Sequence, residues 1–419
     1  MIFFYFLIWI MPYDRHPIWD MQIAGLTLFY YVGAVCAVYA IFHLGFRRTA
    51  PRFFETWQAR FFVASYLIAV ISYFTQPFPV QLMFGPFLTY TALVVLFFVT
   101  LSVVDNLKRL RLVLMVFIGS VAFASLYVLR EWQKGGGIAD FRPGWVVGDS
   151  NAFAAIVAIS APIALYLMRD KRPRWERLFF LGCMGISILA AILGASRGGF
   201  LGLTAGFLFA VYKSRNRFRN LALIFAIVVP ILLVAPYSPV QRFLHPTWRD
   251  TENIQTRTAA WEGGVHMVAK HPFWGVGLGN FKPLVLEYET GTFKEQSLAH
   301  NTYLEIAAEL GIPALLLFLA LLFSTYRTLE KVRRMSRRAK NRFLEMAALG
   351  MEAGLAGYCV NALTVSIQYL KDFWLVIFLA MCMSSIARAA AKKEEKPALS
   401  DASPTLALEP EQEPVGSVS

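Results

Sequence analysis

The sequence predicts an all-α polytopic membrane protein, with about 12 transmembrane helices and one large extramembrane loop containing short helices. Three observations carry that expectation. Hydrophobic residues make up 57% of the chain and charged residues only 16%, and mean hydropathy is +0.52, a balance that water-soluble domains do not show. The apolar residues fall in runs long enough to cross a bilayer. Between those runs, Lys and Arg are concentrated at alternate connections.

The chain opens on the apolar stretch Met1 to Ile10, short against the roughly 20 residues a span needs. It has no basic start and no small-residue cleavage site, so it does not read as a removable signal peptide. Apolar runs follow at 22–46, 60–76, 86–104, 110–129, 150–168, 178–195, 198–212, 220–236, 300–325, 344–367 and 373–391. Arg47, Arg48, Arg52 and Arg60, then Lys108, Arg109 and Arg111, then 169–177, 213–219 and 333–342 form one set of connections. These basic ends are expected to face the cytoplasm, with both termini. The other set comprises 11–21, 77–85, 130–149, the turn near Ser196, a long loop and 368–372, and is expected to face outward.

The organisation that follows has three parts. Residues 1–145 hold N-terminal transmembrane helices, 146–391 a second membrane domain with an outward loop at 237–299, and 392–419 a tail rich in Pro, Glu, Ser and Ala that reads as disordered and cytoplasmic. A net charge of +13 would suit nucleic acid, but its basic residues sit in short blocks between apolar runs, so no nucleic-acid partner is expected. Cys36, Cys183, Cys359 and Cys382 all lie inside apolar runs without metal-like spacing, which argues against a disulfide or a metal site.

Chemistry should reside in the one long polar interval, Pro239 to Tyr303, and in the outward ends near it. The interval carries Arg242, Arg249, Arg257, Trp261, His266, His271 and Trp274. His266 and His271 lack i, i+4 spacing and a carboxylate at a suitable offset, so no metal is expected there. Gly275, Gly277 and Gly279 form a G-x-G-x-G that is not the dinucleotide fingerprint, and they mark a turn. Trp261, Trp274, Tyr288 and Tyr303 could stack on sugar rings, although Trp and Tyr are also the usual belt of a membrane interface.

Arg197 stands at an outward helix hairpin, where an Arg should line a cavity or meet an anion, or else snorkel to the interface. Gly198 and Gly199 beside it would let another backbone or a phosphate approach closely. Asp149-Ser150-Asn151 opens a helix, most simply as its cap, and a helix N-terminus also favours anions. Arg257 reads as a phosphate contact or a solvated charge on a loop helix. His300 lies where the loop turns into a helix, beside Asn301, with Glu305 and Glu309 following. With the usual pKa near about 6.5 it would serve as a base at neutral pH, and an interfacial histidine without a role is the alternative.

Four segments then stand in order: Gly148-Asp149-Ser150-Asn151, Ser196-Arg197-Gly198-Gly199, Arg257 to Asn280 with His271-Pro272-Phe273-Trp274-Gly275-Val276-Gly277, and His300-Asn301-Thr302-Tyr303-Leu304-Glu305 with Glu309-Leu310-Gly311. Together, over about 145–370, they resemble the O-antigen ligase and O-antigen polymerase superfamily of bacterial envelope glycosyltransferases. The resemblance implies a multi-pass inner-membrane enzyme with a large periplasmic loop. Such an enzyme takes a glycan from undecaprenyl diphosphate and joins it to a lipid or glycan acceptor, with inversion and without a metal or other cofactor. It also implies that His300 matches the essential loop histidine and that Arg197 and Arg257 match two arginines holding the diphosphate. Asn301, Trp261 and Tyr303 are the further expected substrate contacts. One departure is that the family often has Asp-Pro-Asn where this chain has Asp149-Ser150-Asn151.

Among activities of this kind, a ligase acting on lipid A core or a similar acceptor is the first expectation. A polymerase joining repeat units and a protein O-oligosaccharyltransferase are the alternatives, since the motifs belong to the donor side. A transporter for the same lipid is the more distant alternative, and it would need ionisable residues deep in helices and paired broken helices.

Overall fold

A computed structural model describes residues 1–13, 26–45, 53–75, 80–134, 149–170, 173–214, 217–218, 221–222, 225, 248–291 and 295–400. Most of the 220–236 run, Arg47, Arg48, Arg52, Arg242 and residues 401–419 of the tail lie outside them, as does the side chain of Arg249. The described chain is helical: α1 (Ile2–Ile10), α2 (Leu28–Gly45), α3 (Trp57–Thr75), α4 (Val80–Val103), α5 (Leu107–Lys134), α6 (Ser150–Leu167), α7 (Arg174–Leu193), α8 (Arg197–Tyr212), α9 (Trp248–Lys270), α10 (Phe281–Tyr288), α11 (Thr302–Arg338), α12 (Arg342–Asn361) and α13 (Lys371–Ser400). Among the described residues, eight helices are long and apolar enough to cross a membrane: α3 to α7 and α11 to α13. The apolar cores of α2 and α8 are shorter. α1 spans about 14 Å at 1.5 Å per residue, too short to cross, and buries Phe4, Leu7, Ile8 and Ile10 inside the bundle.

Two boundaries differ from hydropathy. α11 continues through the basic block to Arg338, and α12 stops at Asn361 although apolar sequence runs on to Ile367. The tail expected to be disordered from Lys392 is helical as far as Ser400.

The tightest packing joins α6, α8 and α12, and small residues explain it. A Cβ on Gly202 would come within 2.9 Å of the Gly357 carbonyl, one on Gly354 within 2.6 Å of the Ile159 carbonyl, and one on Gly350 within 2.7 Å of the Ile163 Cα. Backbones therefore touch directly along this seam, as small residues permit in lipid where apolar burial gives little preference between helix partners.

Among the described residues, the basic connections collect at one end. There Arg111 pairs with Glu176, Arg388 with Glu55 at 2.7 Å, and Arg337 with Glu345 at 2.8 Å, while Arg342 bonds the Arg169 carbonyl at 2.9 Å. Glu352, fully buried, receives Arg333 at 3.1 Å and Lys213 at 3.7 Å, tying α8, α11 and α12 together. The polar interval and the starts of α6, α8 and α11 lie at the other end.

Candidate active site

Of the helices that begin at that end, α6, α8 and α11 are each capped by a side chain. Asp149 accepts from the Asn151 amide at 2.8 Å, Ser196 from Gly199 at 3.0 Å, and Asn301 from Tyr303 and Leu304 at 3.1 and 3.2 Å. Ser196 also donates to Asn151 Oδ1 at 2.7 Å, fixing the start of α8 on the start of α6. Three helix N-termini gathered in this way supply a positive partial field at one place.

Arg197 is the first residue of α8 and is half-buried. The neighbouring glycines receive protein: a Cβ on Gly199 would strike Ala154, and one on Gly198 would strike the Thr364 hydroxyl. Close approach was expected there, and helix packing takes it up. Arg257, on α9, donates to the Thr364 carbonyl at 3.2 Å. Thr364 thus stands between the residue after Arg197 and the guanidinium of Arg257, bringing the α8 start and α9 onto one residue.

His300 precedes the α11 cap with φ 46°, the left-handed region. It is half-buried, and its Nδ1 is buried without a hydrogen-bond partner. Burial first, and the Arg257 charge second, push its pKa from 6.5 down to about 4, with Asp149 opposing. The ordinary value expected from sequence is corrected here: the imidazole is neutral, with a free lone pair or N–H, well below neutral pH. Asp149 is both the cap of α6 and a charge within reach of His300.

The remaining expected residues have structural partners. Trp261 donates its indole N–H to the Ala299 carbonyl at 2.7 Å and stays 38% exposed, so part of its ring remains open. Tyr303 donates to the Cys359 carbonyl at 2.9 Å, and Asn301 uses its oxygen as the cap of α11. Tyr303 and Asn301 also line an apolar groove of about 410 Å³ with Val265, Leu304, Ile312 and Leu363. His266 and His271 brace α9 on α10, meeting the Tyr288 carbonyl at 2.9 Å and its hydroxyl at 3.0 Å. Among the described residues, no three His, Cys, Asp or Glu side chains cluster as metal ligands.

Sequence reasoning missed the 361–369 connection, which is the hub of the site. Thr302 donates its amide to the Ala362 carbonyl at 2.8 Å and its hydroxyl to the Val365 carbonyl at 2.7 Å. Glu305 receives the Ser366 hydroxyl, and the Gln368 amide reaches both Glu305 and Glu309 at 3.1 Å. The only signal was a scatter of polar residues, Asn361, Thr364, Ser366 and Gln368, inside a run that reads as apolar.

The glycine turn and α11 are interleaved through their backbones. Val276 donates to the Ala308 carbonyl at 2.8 Å, Gly277 to the Glu309 carbonyl at 2.9 Å, and Ile312 to the Pro272 carbonyl at 2.8 Å, across a break at Gly311 with φ 86° and ψ 170°. Turn and break both fall in one stretch with Arg197, Arg257 and His300, and residues 182–319 match the family model described as O-Antigen ligase. This segment is therefore similar to the O-antigen ligase family. No curated protein matches the chain. The family ties the segment to glycan transfer of the ligase or polymerase type. The O-antigen ligase match is narrower than the expected 145–370. Asp149 and the 361–369 connection lie outside the matched range.

Proposed function

We propose that the protein is a membrane glycosyltransferase that moves a glycan from undecaprenyl diphosphate to a hydroxyl of lipid A core or a similar acceptor. The site end would face the periplasm and the basic end the cytoplasm of the bacterial inner membrane, by the positive-inside rule. The observation that carries the reading is His300, a neutral imidazole with an unpartnered buried Nδ1, held beside Arg257 where three helices begin.

In this reading the acceptor oxygen attacks the anomeric carbon from the face opposite the diphosphate, and inversion follows. His300 takes the hydroxyl proton as the new C–O bond forms. The bond to the diphosphate oxygen breaks with its electron pair, and Arg197, Arg257 and the helix N-termini stabilise the departing charge. The groove beside Asn301 offers an apolar bed next to this polar site, as a lipid-borne substrate requires.

A transporter reading fits less well. The α11 break is filled by the backbone of 272–277, and the buried Glu305 and Glu309 each receive two side-chain donors.

The test is transfer by purified protein in nanodiscs, using lipid-linked glycan extracted from the source cells. His300→Ala is expected to lower turnover by about 10² to 10⁴ while donor affinity stays nearly unchanged, and the wild-type rate should survive EDTA. Near wild-type turnover in His300→Ala would move the base elsewhere, with Glu287, Glu289 and Glu295 the next residues to test.

A further inference from the structure

His300 occupies a backbone conformation that a residue with a Cβ adopts at a cost of about 1 kcal/mol or more, and such conformations persist only where surroundings enforce them. The surroundings here act on the residue just before it. Ala299 is fully buried. Its carbonyl takes the Trp261 indole N–H at 2.7 Å, and its amide lies against the Glu305 carboxylate. Glu305 is itself held by Ser366 and by Gln368, whose amide also reaches Glu309. The following residue, Asn301, is pinned by its two capping bonds.

Trp261 and Arg257 are four residues apart on α9 and so share one helical face. Through that face α9 reaches the Ala299 carbonyl with one residue and the Thr364 carbonyl with the other. The helix that carries the cation near His300 therefore also holds the backbone that aims His300.

We propose that Trp261 and Glu305 are positioning residues for His300, holding Ala299 by its carbonyl on one side and its amide on the other so that the imidazole is held in register with Arg257. The inference rests on His300 being the base. It assigns Trp261 a task apart from stacking on a sugar, and gives buried Glu305 a task that its burial alone does not.

Trp261→Phe separates the two tasks, because Phe keeps an aromatic face and loses the N–H. Glu305→Gln is the second probe, near-isosteric but with one oxygen where the carboxylate had two. Both are measured in the full chain in nanodiscs, with the same extracted lipid-linked glycan, in wild-type and His300→Ala backgrounds.

Each variant is expected to lower kcat by about 10- to 100-fold with donor KM within about twofold, and to change the residual rate of His300→Ala by less than about twofold. That non-additivity is a readout that general loosening of the fold would not give. Wild-type kcat in both variants, with His300→Ala inactive, would overturn the clamp and leave the base reading intact. Equal losses in both backgrounds would also overturn it, since the residues would then act other than through His300. Full turnover in His300→Ala would remove the base reading and the clamp together. Should Trp261→Phe fail to fold, Glu305→Gln alone decides by the same criteria.

Discussion

Gly277 donates its backbone N–H to the carbonyl of Glu309 at 2.9 Å, supplying the hydrogen bond that Pro313, four residues further along α11, has no N–H to make. The neighbouring exchange is complete as well: Ile312 turns its amide to Pro272, and Val276 fills the Ala308 carbonyl left open. Buried backbone groups at a broken helix are satisfied without water by a turn from elsewhere in the chain.

Gly311→Ala and Gly275→Ala should therefore be costly. Both glycines have positive φ, 86° and 65°, and an added Cβ would strike the Phe273 and Glu309 backbones respectively. The expected loss is about 2 to 4 kcal/mol each, from left-handed strain plus displacement of a packed backbone. Gly33→Ala is the contrast, because nothing lies within 4 Å of its Cβ position in the interior of α2. It should be neutral or stabilising by up to about 1 kcal/mol. Thermal unfolding of the three variants in detergent checks this, and equal midpoints would remove the backbone exchange as a source of stability.

The pH dependence follows from His300. With its pKa near 4, the acid limb of kcat/KM should lie near 4 and not near 6.5. Arg257→Gln removes a nearby cation, so protonation becomes easier and the limb should move up toward 6.5, while Asp149→Asn removes an anion and should move it down. The same depression affects stability with a fixed sign. Below the unfolded value of 6.5 the unfolded chain binds a proton that the folded site takes only near 4, so this group's contribution falls as pH drops through that window. A limb near 6.5 that ignores both substitutions would show that His300 is not the titrating base.

The bundle was legible in the sequence because a span needs only length and apolarity, and the basic blocks distinguish its ends. Arg197 stood out as a basic residue at an outward hairpin, and Arg257 and His300 by lying in the one long polar interval. What could not be read was backbone traffic. α12 ends at Asn361 while the chain stays apolar, because Ala362 and Val365 turn their carbonyls to Thr302, a pairing that hydropathy does not register. Gly311 and Pro313 mark a break in α11, but what fills it is seen only once its partner segment at 272–277 is in place. Likewise the depressed pKa of His300 depends on burial and on charges from two other elements, Arg257 and Asp149.

The ends of the bundle give a topological prediction. A single Cys at Gln255, exposed on α9, should react with a membrane-impermeant maleimide in intact spheroplasts. One at Arg338, exposed at the far end of α11, should react only after lysis. The reverse pattern would invert the orientation and place the site in the cytoplasm.

Arg197 offers the sharpest separation of binding from proton transfer. It lies half-buried at the first position of α8, with Gly198 packed on the Thr364 whose carbonyl holds Arg257. A contact to the diphosphate exists both before and during bond breaking, so Arg197→Ala should weaken donor affinity as well as turnover. Removal of the base should leave affinity nearly unchanged. Lys at this position should restore part of the affinity and less of the rate, because a point charge cannot reproduce the paired hydrogen bonds of a guanidinium. Donor affinity and single-turnover rate of Arg197→Ala and Arg197→Lys in nanodiscs decide the matter. Unchanged affinity in Arg197→Ala would take the diphosphate away from the start of α8 and leave Arg257 as the cation that receives it.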